Sequence, residues 1–141
     1  WKWKRNRNLK DVIMSRRDAR EVALKLIFEY VFTGEEKRDL VDEYTMSFDA
    51  DDTSYVNVVY FGVVGHYDDL IEKISSVIEK FSLERLYKMD LALILLGLYE
   101  ILYMESIPYK VSVDEALNLA QKYSTEKSVK YINGVLSKFA R

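Results

Sequence analysis

Cysteine is absent from this 141-residue chain, and histidine occurs once, at His66. A chain without cysteine has no disulfide framework, no thiolate metal site and no cysteine nucleophile, and it fits a reducing compartment. One histidine cannot build a histidine-rich metal site, and it gives little support to a histidine-based catalytic triad. The composition therefore argues against a hydrolase and a metalloenzyme. Our overall expectation is a protein that is not an enzyme, with no catalytic residue, no metal and no cofactor.

Long hydrophobic runs are also missing. The longest apolar stretch, 91–104, is interrupted by Glu100 and is shorter than the roughly 20 residues that span a bilayer. The segment 1–8 is rich in lysine and arginine and lacks the apolar centre of a secretory signal. We therefore expect a cytoplasmic protein that has no membrane among its partners.

Helix-breaking residues are scarce, with one proline and five glycines. Hydrophobic residues make up 49% of the chain and charged residues 31%, which is the balance of a folded protein. A chain of this length is most simply one domain. The expected fold class is therefore all-α, in a single compact domain.

Positive charge is concentrated near the N-terminus. Residues 1–25 hold nine Lys or Arg against three Asp or Glu, whereas the rest of the chain holds twelve against twenty. Within 14–25 the count is four against two, so most of the excess lies in residues 1–13. A chain with one basic end and an acidic remainder can meet two partners of opposite charge.

Apolar residues recur at spacings of three and four along most of the chain, which is the pattern of amphipathic helices. Ser15 is a candidate N-cap of the first helix, and Gly34 is a candidate for its end. The polar segment 49–54 predicts a connection, and two helical units divide either near 48–54 or near 81–86. About seven helices are predicted: Ser15 to Gly34, 40–48, Tyr55 to Phe81, 83–86, 88–104, one that begins at Ser112, and one over 129–139.

The last third of the chain carries three local signals. Pro108 ends the helix that precedes it. Ser112, followed three residues later by Glu115, has the sequence of a capping box and predicts a helix start. Gly134 lies inside the pattern of the last helix, where glycine costs roughly 1 kcal/mol relative to alanine, so we expect another backbone to approach closely there.

Five short segments stand out by their order and spacing: Arg16-Arg17-Asp18-Ala19-Arg20-Glu21, Leu98-Tyr99-Glu100, Pro108-Tyr109-Lys110-Val111, Asp114-Glu115-Ala116 and Lys130-Tyr131-Ile132-Asn133-Gly134-Val135-Leu136. Through them the chain resembles the NusB family of bacterial transcription antitermination factors, from about Met14 to the end. The resemblance implies two small helical bundles within one RNA-binding domain, 14–141. Residues 1–13 have no expected counterpart, and we interpret them as an added or misassigned extension.

The family resemblance also implies a function. A NusB-like protein binds the boxA element of nascent RNA together with a ribosomal protein that acts as NusE, and the complex joins transcribing RNA polymerase and supports ribosomal RNA synthesis. Such an adaptor needs no small-molecule substrate. Two alternatives stay open, namely the NusB-like RNA-binding portion of an RNA methyltransferase and a purely structural helical interaction module. The acidic pI near 5.5 keeps the structural alternative open, because a nucleic-acid-binding domain is typically basic.

Arg16, Arg17 and Arg20, near the start of the first predicted helix, are candidates for contact with RNA phosphates. Guanidinium groups hold phosphate oxygens bidentately, and the N–H groups of a helix start add positive potential. By charge alone, a short basic run is more often a solvated turn that binds nothing. The resemblance favours RNA for these three residues.

The two C-terminal helices supply the remaining RNA candidates. Tyrosine rings can stack on unpaired bases of single-stranded RNA. Tyr131 lies off the apolar stripe of its helix, whereas Tyr123 fits the stripe of its own helix and is equally well explained as core. Lys130 adjoins Tyr131, and the resemblance adds Lys127 and Ser128.

Asp90, at the start of the predicted central helix, occupies a position where the family carries an acid that contacts the ribosomal protein. Our hypothesis is that Asp90 belongs to the protein interface together with Tyr87 and Lys88, which lie nearby in the sequence. A structural role for Asp90 is also open, because a carboxylate at a helix start can cap the helix or offset its dipole.

Overall fold

The computed structural model describes residues 9–79 and 82–141, with the side chains of Lys10 and Met14 left aside. These residues form eight α-helices and no strand, so the all-α prediction is confirmed. The helices are α1 (Leu9–Thr33), α2 (Arg38–Tyr44), α3 (Ala50–Gly65), α4 (Tyr67–Val77), α5 (Ser82–Arg85), α6 (Lys88–Tyr103), α7 (Tyr109–Tyr123) and α8 (Glu126–Ser137).

Helix α6 is the centre of the fold. Its residues 92–101 are all buried, as expected of a helix that is apolar nearly all round. It packs against α1, α3 and α4 on one side and against α7 and α8 on the other. The two predicted helical units therefore share α6, which allows one continuous core to form.

The first helix begins earlier than predicted. It starts by Leu9, so the interpretation of Ser15 as its N-cap is wrong. Ser15 lies inside α1, where its hydroxyl donates to Asp52 Oδ2 at 2.6 Å. The predicted end is confirmed, because Gly34 adopts a φ of 71° and its N–H donates to the Tyr30 carbonyl at 2.7 Å.

The predicted helix over Tyr55 to Phe81 is two helices, and Phe81 itself lies outside the described residues. Asp49 caps α3 by accepting a hydrogen bond from the N–H of Asp52 at 2.9 Å, so the helix includes most of the segment predicted as a connection. His66 separates α3 from α4 with φ −109° and ψ 18°. The break follows Gly65, because glycine is a weak helix former and the apolar pattern alone does not register it.

The predicted capping box is also wrong. Helix α7 begins at Tyr109, one turn before Ser112, with Pro108 at the N-cap position. Ser112 is buried and donates its hydroxyl proton to Glu100 Oε1 of α6 at 2.8 Å. The hydroxyl of Ser112 therefore binds a side chain of another helix and does not cap α7.

Close approach at Gly134 is not found, since a Cβ built there meets no atom within 4 Å. Two other glycines have neighbours that exclude a side chain. A Cβ on Gly97 of α6 comes within 2.9 Å of Leu136 and 3.4 Å of Ala116, and one on Gly62 of α3 overlaps the ring of Tyr99. The missing side chains at Gly62 and Gly97 therefore make room for packing against α6.

Candidate nucleic-acid interface

A buried ion pair lies at the centre of the fold. Arg20 of α1 is 6% exposed and Glu100 of α6 is 1% exposed. The Nε and Nη2 atoms of Arg20 donate to the two oxygens of Glu100 at 2.9 and 3.3 Å. The hydroxyls of Tyr55 and Ser112 donate to the same carboxylate. Glu100 thus joins α1, α3 and α7 to α6 through one fully hydrogen-bonded carboxylate.

The surroundings of this pair shift two pKa values. Burial lowers the pKa of Arg20, but the hydrogen bond and charge of Glu100 outweigh burial and leave that pKa raised. Burial raises the pKa of Tyr55 well above its usual value, and the negative charge of Glu100 adds to this. The network therefore keeps Arg20 charged and Tyr55 neutral.

The other two predicted arginines are nearer the surface. Arg16 binds Asp52 Oδ1 through Nε at 2.9 Å, and its guanidinium lies 4.7 Å from the centre of the Tyr55 ring. Arg17 binds Glu115 Oε1 through Nε at 3.0 Å, and half of its side chain is exposed. Both arginines use Nε for the carboxylate, and the terminal nitrogens of neither donate a hydrogen bond to another described residue.

Helix α1 is tied to the end of α7 by a second polar cluster. Glu21 accepts hydrogen bonds from the Lys122 ammonium at 3.0 Å and from the Tyr123 hydroxyl. The Tyr123 hydrogen bond, followed by that of Lys122, lowers the pKa of Glu21, although burial opposes the shift. The hydroxyl of Tyr123 is therefore engaged with Glu21, and its ring is half-buried against the core.

The turn between α7 and α8 is held by Asp90. This carboxylate is 4% exposed and accepts hydrogen bonds from the hydroxyls of Ser124 at 2.5 Å and Ser128 at 2.7 Å. Thr125 caps α8 by accepting from the N–H of Ser128 at 3.1 Å. Asp90 lies in the first turn of α6 but Tyr87 is the N-cap residue, so Asp90 is not the cap.

A groove of about 700 Å³ lies beside this turn, between α5 with the start of α6 and the start of α8. We call it the α5–α8 groove. It brings together residues predicted for RNA and for protein: Tyr87, Asp90, Lys127, Ser128 and Tyr131 line it, with Ser82, Arg85, Leu86, Thr125 and Glu126. Two predicted surfaces therefore meet in one concave site.

The remaining predicted site residues lie apart from the α5–α8 groove. Lys88 lies above the ring of Phe32, with its Nζ 5.6 Å from the ring centre, and Phe32 is 67% exposed. Lys130 is exposed on α8 but does not line the groove. Arg16, Arg17 and Arg20 lie on α1, and a cavity of about 850 Å³ against α7 includes all three.

Sequence reasoning missed several residues that build the site. Glu100 was visible only as part of a family segment, and Ser124 and Arg85 belong to no motif. One signal was available for Arg20, because it precedes Ala23, Leu24 and Ile27 at helical spacing and so shares their buried face. That spacing argues for burial of Arg20, whereas its charge argues for exposure.

Within the described ranges, no helix is long and apolar enough to cross a membrane. Nor does any group of three or more His, Cys, Asp or Glu side chains in the same ranges have the arrangement of a metal site.

The architecture and the groove define an all-α domain in which two helical units share a central helix and a concave polar site opens beside α8. Comparison with known proteins identifies the family. A model of the NusB family matches residues 17–141, and the chain belongs to the NusB family. This membership confirms the predicted family and the prediction of a protein that is not an enzyme.

Two relatives illustrate the similarity. The chain is 39% identical over 127 residues to the transcription antitermination protein NusB of Clostridium novyi (strain NT). This alignment covers 87% of this chain and 96% of the relative. The chain is 35% identical over 125 residues to the protein of the same name from Finegoldia magna, with 87% and 91% covered. The names of both relatives agree with the antitermination prediction.

Solved structures agree with the fold. NusB of T. maritima matches with a TM-score of 0.82 and 31% identity, over 89% of each chain. A structure of the antitermination factors NusB and NusE in complex with double-stranded RNA matches with a TM-score of 0.80, over 89% of this chain and 96% of that one. At 24% identity the second likeness concerns the fold alone.

Proposed function

We propose that this chain is a transcription antitermination protein that binds boxA RNA together with a ribosomal protein acting as NusE. It joins the antitermination complex on RNA polymerase in the cytoplasm and supports ribosomal RNA transcription. The names of its relatives favour this function over an RNA methyltransferase. Its mechanism is assembly, because two partners that bind each other and this protein gain affinity through coupling and effective concentration.

The observation that carries the RNA proposal is the α5–α8 groove. Tyr131 presents a partly exposed ring at the groove, and burial raises the pKa of its hydroxyl, so the ring is neutral at physiological pH. Lys127 adds a positive charge on the same wall. An aromatic ring beside a cation in a concave site suits a single-stranded nucleic acid, whose bases stack and whose phosphates need neutralising.

The arginines of α1 have different roles in this proposal. Arg16 and Arg17 bind carboxylates through Nε, and we propose that their terminal nitrogens, which have no hydrogen-bond partner among the described residues, donate to phosphate. Arg20 is buried, and its donors are directed at Glu100 and Glu115. We assign Arg20 a positioning role in which it holds α1 against α6 and so sets the place of Arg16 and Arg17.

The ribosomal protein is proposed to bind at Lys88, which does not line the α5–α8 groove. There the exposed Phe32 ring at the end of α1 adjoins the Lys88 ammonium, and Phe28 lies 6.3 Å from Phe32. Aromatic side chains next to a cation are typical of protein interfaces. Asp90 is buried against Ser124 and Ser128, so its effect on either partner passes through the α7–α8 turn.

The test is the affinity of this chain for a fluorescent boxA-containing RNA, measured by anisotropy across salt concentrations with and without the ribosomal protein. We expect the dissociation constant to rise with salt and to fall when the partner is added. Replacing Arg16 and Arg17 with glutamine lowers the salt slope, whereas Arg141→Gln on the exposed C-terminus leaves it unchanged. RNA binding that is absent at low salt, with or without the partner, would leave the purely structural alternative.

A further inference from the structure

Among the described residues, two cations of the α5–α8 groove have no carboxylate partner. Arg85 lies on the α5 wall and Lys127 on the α8 wall, and neither forms an ion pair or side-chain hydrogen bond with any other described residue. The arginines of α1 differ, because Arg16, Arg17 and Arg20 each bind a carboxylate at about 3 Å. A phosphate that meets Arg85 therefore displaces no existing ion pair.

Two tyrosines also line this groove from its two walls. Tyr87, at the N-cap position of α6, is 66% exposed, and Tyr131 projects from α8. The phenol ring of Tyr87 has no ring contact and no hydrogen bond within the described residues. An uncovered aromatic ring on the wall of a concave polar site is suited to a flat ligand.

We propose that the α5–α8 groove holds one unpaired nucleotide of the RNA, with its base against the rings of Tyr87 and Tyr131 and its phosphate on Arg85. The inference rests on the proposed RNA-binding function, and it moves Tyr87 from the protein interface to the RNA site. Stacking on tyrosine tolerates any base, and the guanidinium fork of Arg85 fits two phosphate oxygens. The groove thus recognises a nucleotide that is unstacked, and it discriminates little between the four bases.

The acidic residues of the groove are compatible with a phosphate there. Asp90 is almost fully buried, and its two oxygens accept hydrogen bonds from Ser124 and Ser128. Glu126 lies in the first turn of α8, where its charge offsets the positive end of that helix. Arg85 stands on the opposite wall, at the end of α5, and adds a positive charge to that of Lys127.

Arg85→Gln tests the phosphate contact, with Arg38→Gln as the matched control. Arg38 is an exposed arginine of α2 that pairs with Glu36 at 3.7 Å outside the groove. With a fluorescent single-stranded boxA RNA, we expect Arg85→Gln to weaken binding and to reduce the slope of log affinity against log salt by about one. Arg38→Gln keeps the wild-type slope. Equal slopes for the two variants would overturn the assignment of Arg85.

Tyr87→Leu tests the stacking contact, with Tyr87→Phe as the conservative variant. Loss of one base–aromatic stack lowers affinity roughly 5- to 150-fold, whereas phenylalanine keeps the ring and the affinity. Thermal unfolding checks both variants, and the unfolding temperature stays at the wild-type value because the Tyr87 side chain is exposed. If Tyr87→Phe does not keep the wild-type RNA affinity, the ring of Tyr87 does not stack on a base.

A pull-down with the ribosomal protein separates this inference from the proposed function. If Tyr87→Leu abolishes capture of the ribosomal protein and leaves RNA affinity unchanged, Tyr87 belongs to the protein interface and the inference is wrong. If wild-type protein binds the RNA and both groove variants bind it equally well, only the inference fails. If wild-type protein binds no RNA, the inference and the proposed function fail together.

Discussion

Replacing Glu100 with glutamine tests the buried network most directly. Glutamine keeps the shape of the side chain and one carbonyl acceptor, but it removes the charge that faces Arg20 across 2.9 Å. Removing one partner of a buried ion pair costs about 3–5 kcal/mol, because the other charge is left buried and unpaired. Glu115 lies 3.6 Å from the Nη1 atom of Arg20 and retains part of the compensation, so we expect the lower end of that range.

A loss of about 3 kcal/mol is large beside the 5–15 kcal/mol that stabilises a typical protein. For a chain of this size it lowers the unfolding temperature by roughly 10 °C. Circular dichroism during heating and urea titration gives both values. The control is Glu35→Gln, which removes an exposed partner of Lys37 and is expected to leave the unfolding temperature nearly unchanged.

A double-mutant cycle identifies the cause. Arg20→Met combined with Glu100→Gln removes the unpaired buried charge, so the double variant is less destabilised than the sum of the single variants by about 0.5–3 kcal/mol. Two results would contradict the reasoning. One is an unfolding temperature for Glu100→Gln equal to that of Glu35→Gln, and the other is strict additivity in the cycle.

Three further predictions concern pH and packing. Burial raises the folded-state pKa of Tyr55 above its unfolded value near 10. The stability that this group contributes below about pH 10 is therefore lost as the pH rises further. We expect Tyr55→Phe to flatten the alkaline side of a plot of unfolding free energy, measured in urea, against pH. The Tyr123 hydrogen bond lowers the folded-state pKa of Glu21. The stability that Glu21 contributes is therefore present above about pH 4.3 and is lost as the pH falls through the folded-state pKa. We expect Glu21→Gln to remove this part of the pH dependence of the unfolding free energy. Gly62→Ala displaces the Tyr99 ring and lowers the free energy of unfolding by about 1–3 kcal/mol. Its control is Gly134→Ala, whose added Cβ meets no atom within 4 Å and which raises the free energy of unfolding by up to about 1 kcal/mol. A Gly62→Ala variant as stable as wild type would contradict the close contact.

The sequence was a good guide to helices whose signals are local and repeated. The apolar stripe of α1, its end at Gly34 and the all-round apolar character of α6 are visible in spacing alone. The break at His66 was missed because the apolar pattern runs through it. Periodicity reports which faces are buried, and it does not report a change in direction between two buried helices.

The candidate site was less predictable, because its polar contacts join distant segments. Ser112 has the local sequence of a helix cap, but its hydroxyl meets Glu100 across the core. Arg20 belongs to a basic run and is nevertheless buried by a partner 80 residues away. Tyr87 and Tyr131 were assigned to different partners, and only the packing of α8 beside the start of α6 places them in one groove.

The ion pair of Arg20 also bears on how the chain acquires its structure during synthesis. Glu100 follows Arg20 by 80 residues and Ser112 follows Glu100 by 12, so translation produces the arginine long before its partners. Until α6 has left the ribosome, α1 carries a cation on the face that must become core, and that face cannot close without stranding a charge. We therefore expect helices α1 to α4 to reach their final packing only after the central helix is available, late in translation.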